Sequence, residues 1–264
     1  MKKLIIVIFA LFLIGCVKPK VKHPINPINP IHAHYLLAQA AKSVYMIHTT
    51  VTLKPSEGQE GEGQTTSIIG NAFAISKRRF LTANHLAVIN SYPVYTPMGS
   101  FTVFITPEEK LKEESWLVLD DGHRTLAKVI YNDEDLDFAI LETKDDMSAP
   151  AYSIGNSDNF HLLDQIFMIS DTWSGQYIKP GYIMQLNFVE KDKDLKITDC
   201  NNDMFGIYLS CQEGNSGSPL FMVQDDQIKV VGLVSLGNLI DSGAGVKINS
   251  IMDSFNNWQN EKEL

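Results

Sequence analysis

Between Ser67 and Ile248 the sequence runs as two series of short apolar segments separated by turn signals, and this punctuation restricts the fold more than any other property of the chain. The first series is Ser67 to Ile75, Arg79 to Thr82, Phe101 to Ile105, Trp116 to Leu119, Thr125 to Tyr131 and Phe138 to Glu142. The second is Gln165 to Ser170, Gly181 to Val189, Phe205 to Cys211, Pro219 to Val223, Ile228 to Ser235 and Gly245 to Ile248. Runs this short suit strands, and many of them with little helix between predict an all-β barrel or sandwich. The stretch 145–159, with Pro150 and Gly155, reads as the link between the two groups. Helix is expected only at the ends. His34 to Ser43 has helical propensity before the strand-like Val44-Tyr45-Met46-Ile47. Ser250 to Glu261 places Ile251, Phe255 and Trp258 on one helical face. Lys54 to Thr66 is polar and glycine-rich, a surface loop. A chain of 264 residues can bury one large β domain or two small lobes.

The first residues carry a separate message. Lys2 and Lys3 precede an apolar run, Leu4 to Ile14, that is too short for a bilayer span. It ends in Leu13-Ile14-Gly15-Cys16, which resembles the lipobox of bacterial lipoprotein signal peptides. That resemblance implies removal of residues 1–15 and acylation of Cys16, so that an exported protein is held on a bacterial membrane. Val17, rather than aspartate, follows the cysteine, which points to the outer membrane if the host is Gram-negative. Residues 16–34 repeat Pro-Ile-Asn and read as an extended tether, because proline fixes φ and removes donors. His23, His32 and His34 in or beside it lack a cysteine or carboxylate partner and read as solvated, so no metal is expected. The net charge of -9 argues against a nucleic-acid surface, which needs a basic stripe.

Three runs carry chemistry: Leu81-Thr82-Ala83-Asn84-His85-Leu86, Asp137-Phe138-Ala139-Ile140-Leu141, and Gly214-Asn215-Ser216-Gly217-Ser218-Pro219-Leu220. A serine hydroxyl is a weak nucleophile unless a base takes its proton, and that base needs an orienting carboxylate. Glycines around the serine let the backbone turn sharply, so that two N–H groups can face a developing oxyanion. In order and context these runs resemble the histidine, aspartate and serine blocks of the chymotrypsin-like (trypsin-like) serine protease superfamily. The bacterial high-temperature-requirement (Deg) proteases and glutamyl endopeptidases are the most similar in motif. The resemblance implies two six-stranded antiparallel β-barrels with a C-terminal helix, spanning 35–264 after the tether. The barrels are expected over about 44–145 and 155–248. It implies His85 as general base, Asp137 as its orienter and Ser216 as nucleophile, with the N–H groups of Gly214 and Ser216 as oxyanion hole. Asp133 and Asp135 are local rivals to Asp137, but only Asp137 opens the Phe-Ala-Ile-Leu strand. The implied activity is that of a serine endopeptidase acting on proteins or peptides without a cofactor. A protease-fold binding or scaffold lipoprotein that has lost turnover is the alternative.

The resemblance also implies where substrate would lie. Ser235, Leu236 and Gly237 on the returning strand would pair with substrate backbone, while Ser210 and Gly245 would line the primary pocket. No acidic residue sits near Ser210, which argues against Lys or Arg specificity. Glutamyl endopeptidases carry histidine where Ser235 stands, which argues against Glu, and a neutral, small or apolar residue before the scissile bond is expected. Asn215 replaces the aspartate that captures a new N-terminus in digestive relatives, so activation without N-terminal insertion is expected. One extra residue separates Cys211 from Gly214 relative to those enzymes, leaving room for a different oxyanion loop, with Glu213 exposed. With Cys16 lipidated, Cys200 and Cys211 remain. An exported chain keeps disulfides, and their spacing suits a bridge across a hairpin worth about 3 kcal/mol. Two buried free thiols are the other outcome.

Overall fold

Each of the two series of apolar runs closes on itself. In the computed structural model, which describes residues 30–55, 63–96, 99–119, 121–147, 151–191, 197–239 and 242–262, the first barrel has six antiparallel strands. They are β1 (Val44–Leu53), β2 (Thr65–Ala74), β3 (Arg79–Thr82), β6 (Lys110–Val118), β7 (Arg124–Asp133) and β8 (Phe138–Thr143), in the order β1-β2-β3-β8-β7-β6. Between the third and sixth of these, β4 (Ser91–Thr96) and β5 (Gly99–Phe104) form a separate hairpin. The second barrel is likewise six-stranded: β9 (Gln165–Ser170), β10 (Tyr177–Gln185), β13 (Met204–Tyr208), β14 (Pro219–Gln224), β15 (Gln227–Leu239) and β16 (Ser242–Lys247). Its order is β10-β13-β16-β15-β14-β9, and β11 (Phe188–Lys191) pairs with β12 (Ile197–Asn201) as a ribbon outside it. Closure removes the exposed edges that such short strands would otherwise present.

Strands β9 and β14 of the second barrel are apolar at nearly every position because both of their faces are covered. On β9, Ile166 and Met168 join the barrel interior with Phe205, Leu220 and Val234, whereas Ile169 faces the other way into the cluster that holds Phe80, Leu81 and Phe138 of the first barrel. On β14 the same alternation sends Leu220 and Met222 inward and Phe221 outward to that shared cluster. Burying a side chain such as Phe221 stabilises by roughly 2–3 kcal/mol.

Helices tie the ends down. α1 (Pro30–Ala41) buries Leu37, Ala40 and Ala41 against the first barrel, and Gln176 of the second-barrel loop donates to the Ala41 carbonyl at 2.8 Å. A short turn of helix, α2 (Asn84–Ala87), follows β3. The C-terminal helix α3 (Ile248–Lys262) continues from β16 and buries Ile248, Ile251 and Phe255. It lies over the end of β7: Phe255 and Trp258 pack on Tyr131 at centroid separations of 5.8 and 5.0 Å. Ser254 Oγ donates to Asp133 at 2.7 Å.

The sequence expectations differ from this fold at several places. Gly181 to Val189 is not one strand, since β10 ends at Gln185 and β11 begins at Phe188. Strands β4 and β12 come from segments in which no apolar run was expected. The signal segment, Cys16 and most of the tether lie outside the described residues. The Cys200–Cys211 bridge is corrected: Cys211 is a free, buried thiol. Its physical setting explains this, because Cys211 packs as a small hydrophobe in the second-barrel core while Cys200 belongs to the outlying ribbon. Burial raises the Cys211 thiol to about 11.

Candidate active site

His85 is presented by a strand that must stop. Ala83 is extended at the end of β3, and the α2 turn is anchored by Leu86 and Ala87, each 1% exposed. The His85 ring, on the opposite side of this anchor, remains 40% exposed.

Asp137 comes from the turn after β7. Asp133 accepts the Leu136 N–H at 3.0 Å, and the Asp137 N–H reaches the Glu134 carbonyl at 3.3 Å. This brings Asp137 to φ 51°, a left-handed conformation that aspartate tolerates better than most residues. Asp133 therefore shapes the turn, and Asp135 is exposed. The Asp137 carboxylate lies 2.9 and 3.0 Å from His85 Nδ1 and also accepts the His85 backbone N–H at 3.1 Å. The Ser235 hydroxyl donates to its other oxygen, Oδ2. An ionised carboxylate only accepts, so His85 Nδ1 donates to Asp137, and in the neutral ring Nε2 keeps its lone pair.

Ser216 lies in the loop from β13 to β14, between Gly214 at φ 90° and Gly217 at φ 78°. Two tight turns shape the loop: Asn215 N–H donates to Gln212 C=O and Ser218 N–H to Asn215 C=O, both at 3.0 Å. They leave the Gly214 and Ser216 N–H groups with no protein acceptor among the described residues. Ser216 Oγ donates to the Ser235 carbonyl at 3.5 Å, and among the described residues no hydrogen bond joins it to His85. Ser235 thus bridges the Ser216 loop, through its carbonyl, to Asp137, through its hydroxyl.

The remaining sequence candidates fall around this group. Ser210 is exposed, and its carbonyl accepts Lys179 Nζ at 2.8 Å. Gly245 pairs with Val234, and its open side meets Leu220 and Phe205 in the barrel interior. The backbone of Leu236 and Gly237 continues β15, which changes register after Val234 and again after Leu236. Glu213 is exposed. Three contributions escaped sequence reasoning: the Ser235 hydroxyl, Asn71 and Ser170. Asn71 and Ser170 lie fully buried under the Ser216 loop, and an amide in the middle of the apolar run Ile68 to Ile75 is the one available signal.

Comparison with known proteins agrees with this geometry. The family described as a trypsin-like peptidase domain matches residues 70–233, more than half of the chain. No curated protein matches the sequence. Among solved structures, the HtrA-type protease AlgW with a decapeptide superposes with TM-score 0.57 at 19% identity, covering 85% of this chain and 66% of that one. AlgW with a tripeptide gives TM-score 0.56 at 20% identity, covering 85% and 62%. A protease of M. tuberculosis in its active form gives TM-score 0.56 at 17% identity, covering 84% and 83%. The chain therefore spans less than two thirds of the AlgW chains, and at these identities the likeness is one of fold.

Proposed function

Since the chain belongs to the trypsin-like peptidase family, we propose that it is a serine endopeptidase held on a bacterial membrane by lipid at Cys16. The observation that carries the reading is the convergence of His85, Asp137 and the Ser216 loop through Ser235. In this reading His85 Nε2 takes the Ser216 Oγ proton as Oγ attacks the scissile carbonyl carbon. The oxygen becomes an oxyanion facing the free N–H groups of Gly214 and Ser216. His85 then gives its proton to the leaving amine as the C–N bond breaks, leaving an acyl ester on Ser216. Water, activated by the same histidine, hydrolyses the ester and restores the hydroxyl. Asp137 holds the ring tautomer and balances the imidazolium. Rotation of Ser216 Oγ from the Ser235 carbonyl to His85 accompanies substrate binding, as catalytic hydrogen bonds commonly tighten only in the complex.

For the residue before the scissile bond, the setting of Ser210 argues against Lys or Arg: among the described residues no carboxylate is bonded there, and the Lys179 ammonium sits on its carbonyl. The neutral preference rests on Ser235 standing where glutamyl endopeptidases carry histidine. The lipobox supports export and an acylated Cys16, on the outer membrane in a Gram-negative host.

The test is labelling of the full chain with a fluorophosphonate probe, wild type against Ser216→Ala, followed by peptide-library profiling. Labelling that requires Ser216 is the expected result. Folded wild type that never labels would replace this reading with the silent binding or scaffold protein. A library profile dominated by Glu, Lys or Arg would overturn the specificity. Mass spectrometry of the mature N-terminus checks the anchor, which an unmodified Cys16 excludes.

A further inference from the structure

Beneath the nucleophile loop the two barrels meet through buried amides. Asn71 on β2 and Asn215 beside the nucleophile are both 0% exposed, as is Ser170 at the end of β9. Asn71 Nδ2 donates to the Gly214 carbonyl at 2.7 Å and to Ser170 Oγ at 3.0 Å, while its Oδ1 accepts the Asp171 N–H at 2.6 Å. Its backbone N–H also donates to the Ser216 carbonyl at 2.8 Å. Asn215 Nδ2 donates to the same Ser170 Oγ at 3.0 Å and to the Tyr177 hydroxyl, and its Oδ1 accepts the Gln212 N–H at 2.9 Å.

The consequence falls on one peptide group. The Gly214–Asn215 peptide is held at both ends, its carbonyl by Asn71 and its N–H by the Gln212 carbonyl at 3.0 Å. The side of Gly214 where a Cβ would stand is open, with no atom within 4 Å. Glycine at φ 90° on an open face is otherwise free to rotate. The Gly214 and Ser216 N–H groups belong to the two peptides flanking this one, so its hydrogen bonds fix the plane from which both extend. One of the two that fix this peptide is supplied by the other barrel.

We propose that Asn71 is a positioning residue: from the first barrel it fixes the Gly214 carbonyl and so aims the oxyanion-binding N–H groups of the second. The inference rests on the serine endopeptidase reading and deepens it. Among the described residues the groups that set this loop are neutral, and they lie in the seam between the barrels.

The experiment compares wild type with Asn71→Asp and Asn71→Ala in the full chain, using a cleaved peptide, a peptide aldehyde that forms a tetrahedral adduct, and the non-covalent product peptide. Asn71→Asp keeps the shape but replaces the donor with an acceptor facing the Gly214 carbonyl. A kcat lower by about 100-fold, of the order lost with one oxyanion donor, is expected with KM within about threefold. Aldehyde affinity should fall in parallel and product affinity should stay constant, a split that general loosening would not produce. A folded variant with kcat within about threefold of wild type would overturn the proposal. Should neither Asn71 variant fold, Ser170→Ala removes an acceptor that the Asn71 and Asn215 amides share; kcat and aldehyde affinity should fall while product affinity is spared, and unchanged values refute the proposal. Wild type without Ser216-dependent turnover would instead remove the endopeptidase reading itself.

Discussion

Gly217 is where backbone geometry and the proposed nucleophile, Ser216, are most tightly joined, and Gly217→Ala measures that joint. At φ 78° an added Cβ falls in the left-handed region, which costs about 1–2 kcal/mol. The same Cβ would stand 1.9 Å from the Asn71 carbonyl oxygen and 2.8 Å from Thr82 Oγ1. Neither distance is relieved by a rotamer change, because Asn71 O is main chain and is itself the acceptor of the Thr82 hydroxyl at 2.6 Å. Strand β2 must shift from the nucleophile loop, at a further cost of about 1–3 kcal/mol for overpacking. The sum is roughly 2–5 kcal/mol, or a fall of about 10 °C in Tm for a protein of this size. Gly122→Ala is the control: its φ is 80°, but nothing lies within 4 Å, so only the left-handed cost of about 1–2 kcal/mol applies. Thermal unfolding followed by circular dichroism, with fluorophosphonate labelling of the same samples, reads both effects. Gly217→Ala should lose far more Tm than Gly122→Ala and should label slowly. Equal losses of Tm in the two variants, with labelling unchanged, would refute the argument.

Three further outcomes are expected. Ser235→Ala removes a hydrogen bond to the Asp137 carboxylate, of a kind worth about 1.5–3 kcal/mol, so steady-state kinetics should show kcat/KM lower by roughly tenfold or more. Cys211, with its thiol raised to about 11 by burial, should resist iodoacetamide at pH 8 in the native protein and react on unfolding. Its proton is released near 9 in the unfolded chain and near 11 in the folded one. The stability this thiol contributes is therefore fully present below about pH 9 and lost as pH rises towards 11, which urea titrations across that window would detect. Phe255→Ala empties a site 3% exposed between Tyr131 and Trp258, and equilibrium denaturation should show a loss of about 3 kcal/mol or more.

What the sequence revealed and what it hid follow the range of the interactions concerned. Strands such as Arg79–Thr82 and Gln165–Ser170 were legible to the residue because turn chemistry bounds them on both sides. The run Gly181 to Val189 was read as one strand because its apolar pattern continues through the bend at Leu186 and Asn187, where pairing passes from the barrel to the ribbon. His85, Asp137 and Ser216 stood out because each sits in a short local motif. Ser235 was read as a contributor of backbone to substrate, whereas its side chain turns to Asp137, a contact 98 residues away in sequence. Asn71 reaches Gly214 across 143 residues and Ser170 across 99, and no local pattern encodes such a meeting. The disulfide expectation failed for the same reason. Spacing along the chain placed Cys200 and Cys211 together, but the fold assigns one to a ribbon and the other to a core.

The site is best understood as a property of the seam between barrels. The first barrel supplies His85, Asp137 and Asn71; the second supplies Ser216, Gly214, Ser235 and Ser170. The buried amide of Asn71 in the first barrel would be costly alone, because its partners Ser170, Gly214 and Asp171 all belong to the second. Helix α3, continuing from the last strand of the second barrel, reaches back to the turn that presents Asp137 through Ser254 and Asp133. The polar groups around the proposed triad therefore also span the seam between the barrels. Loosening the seam should lower turnover before it lowers the strand content of either barrel, because the barrel ladders are local and the site is not.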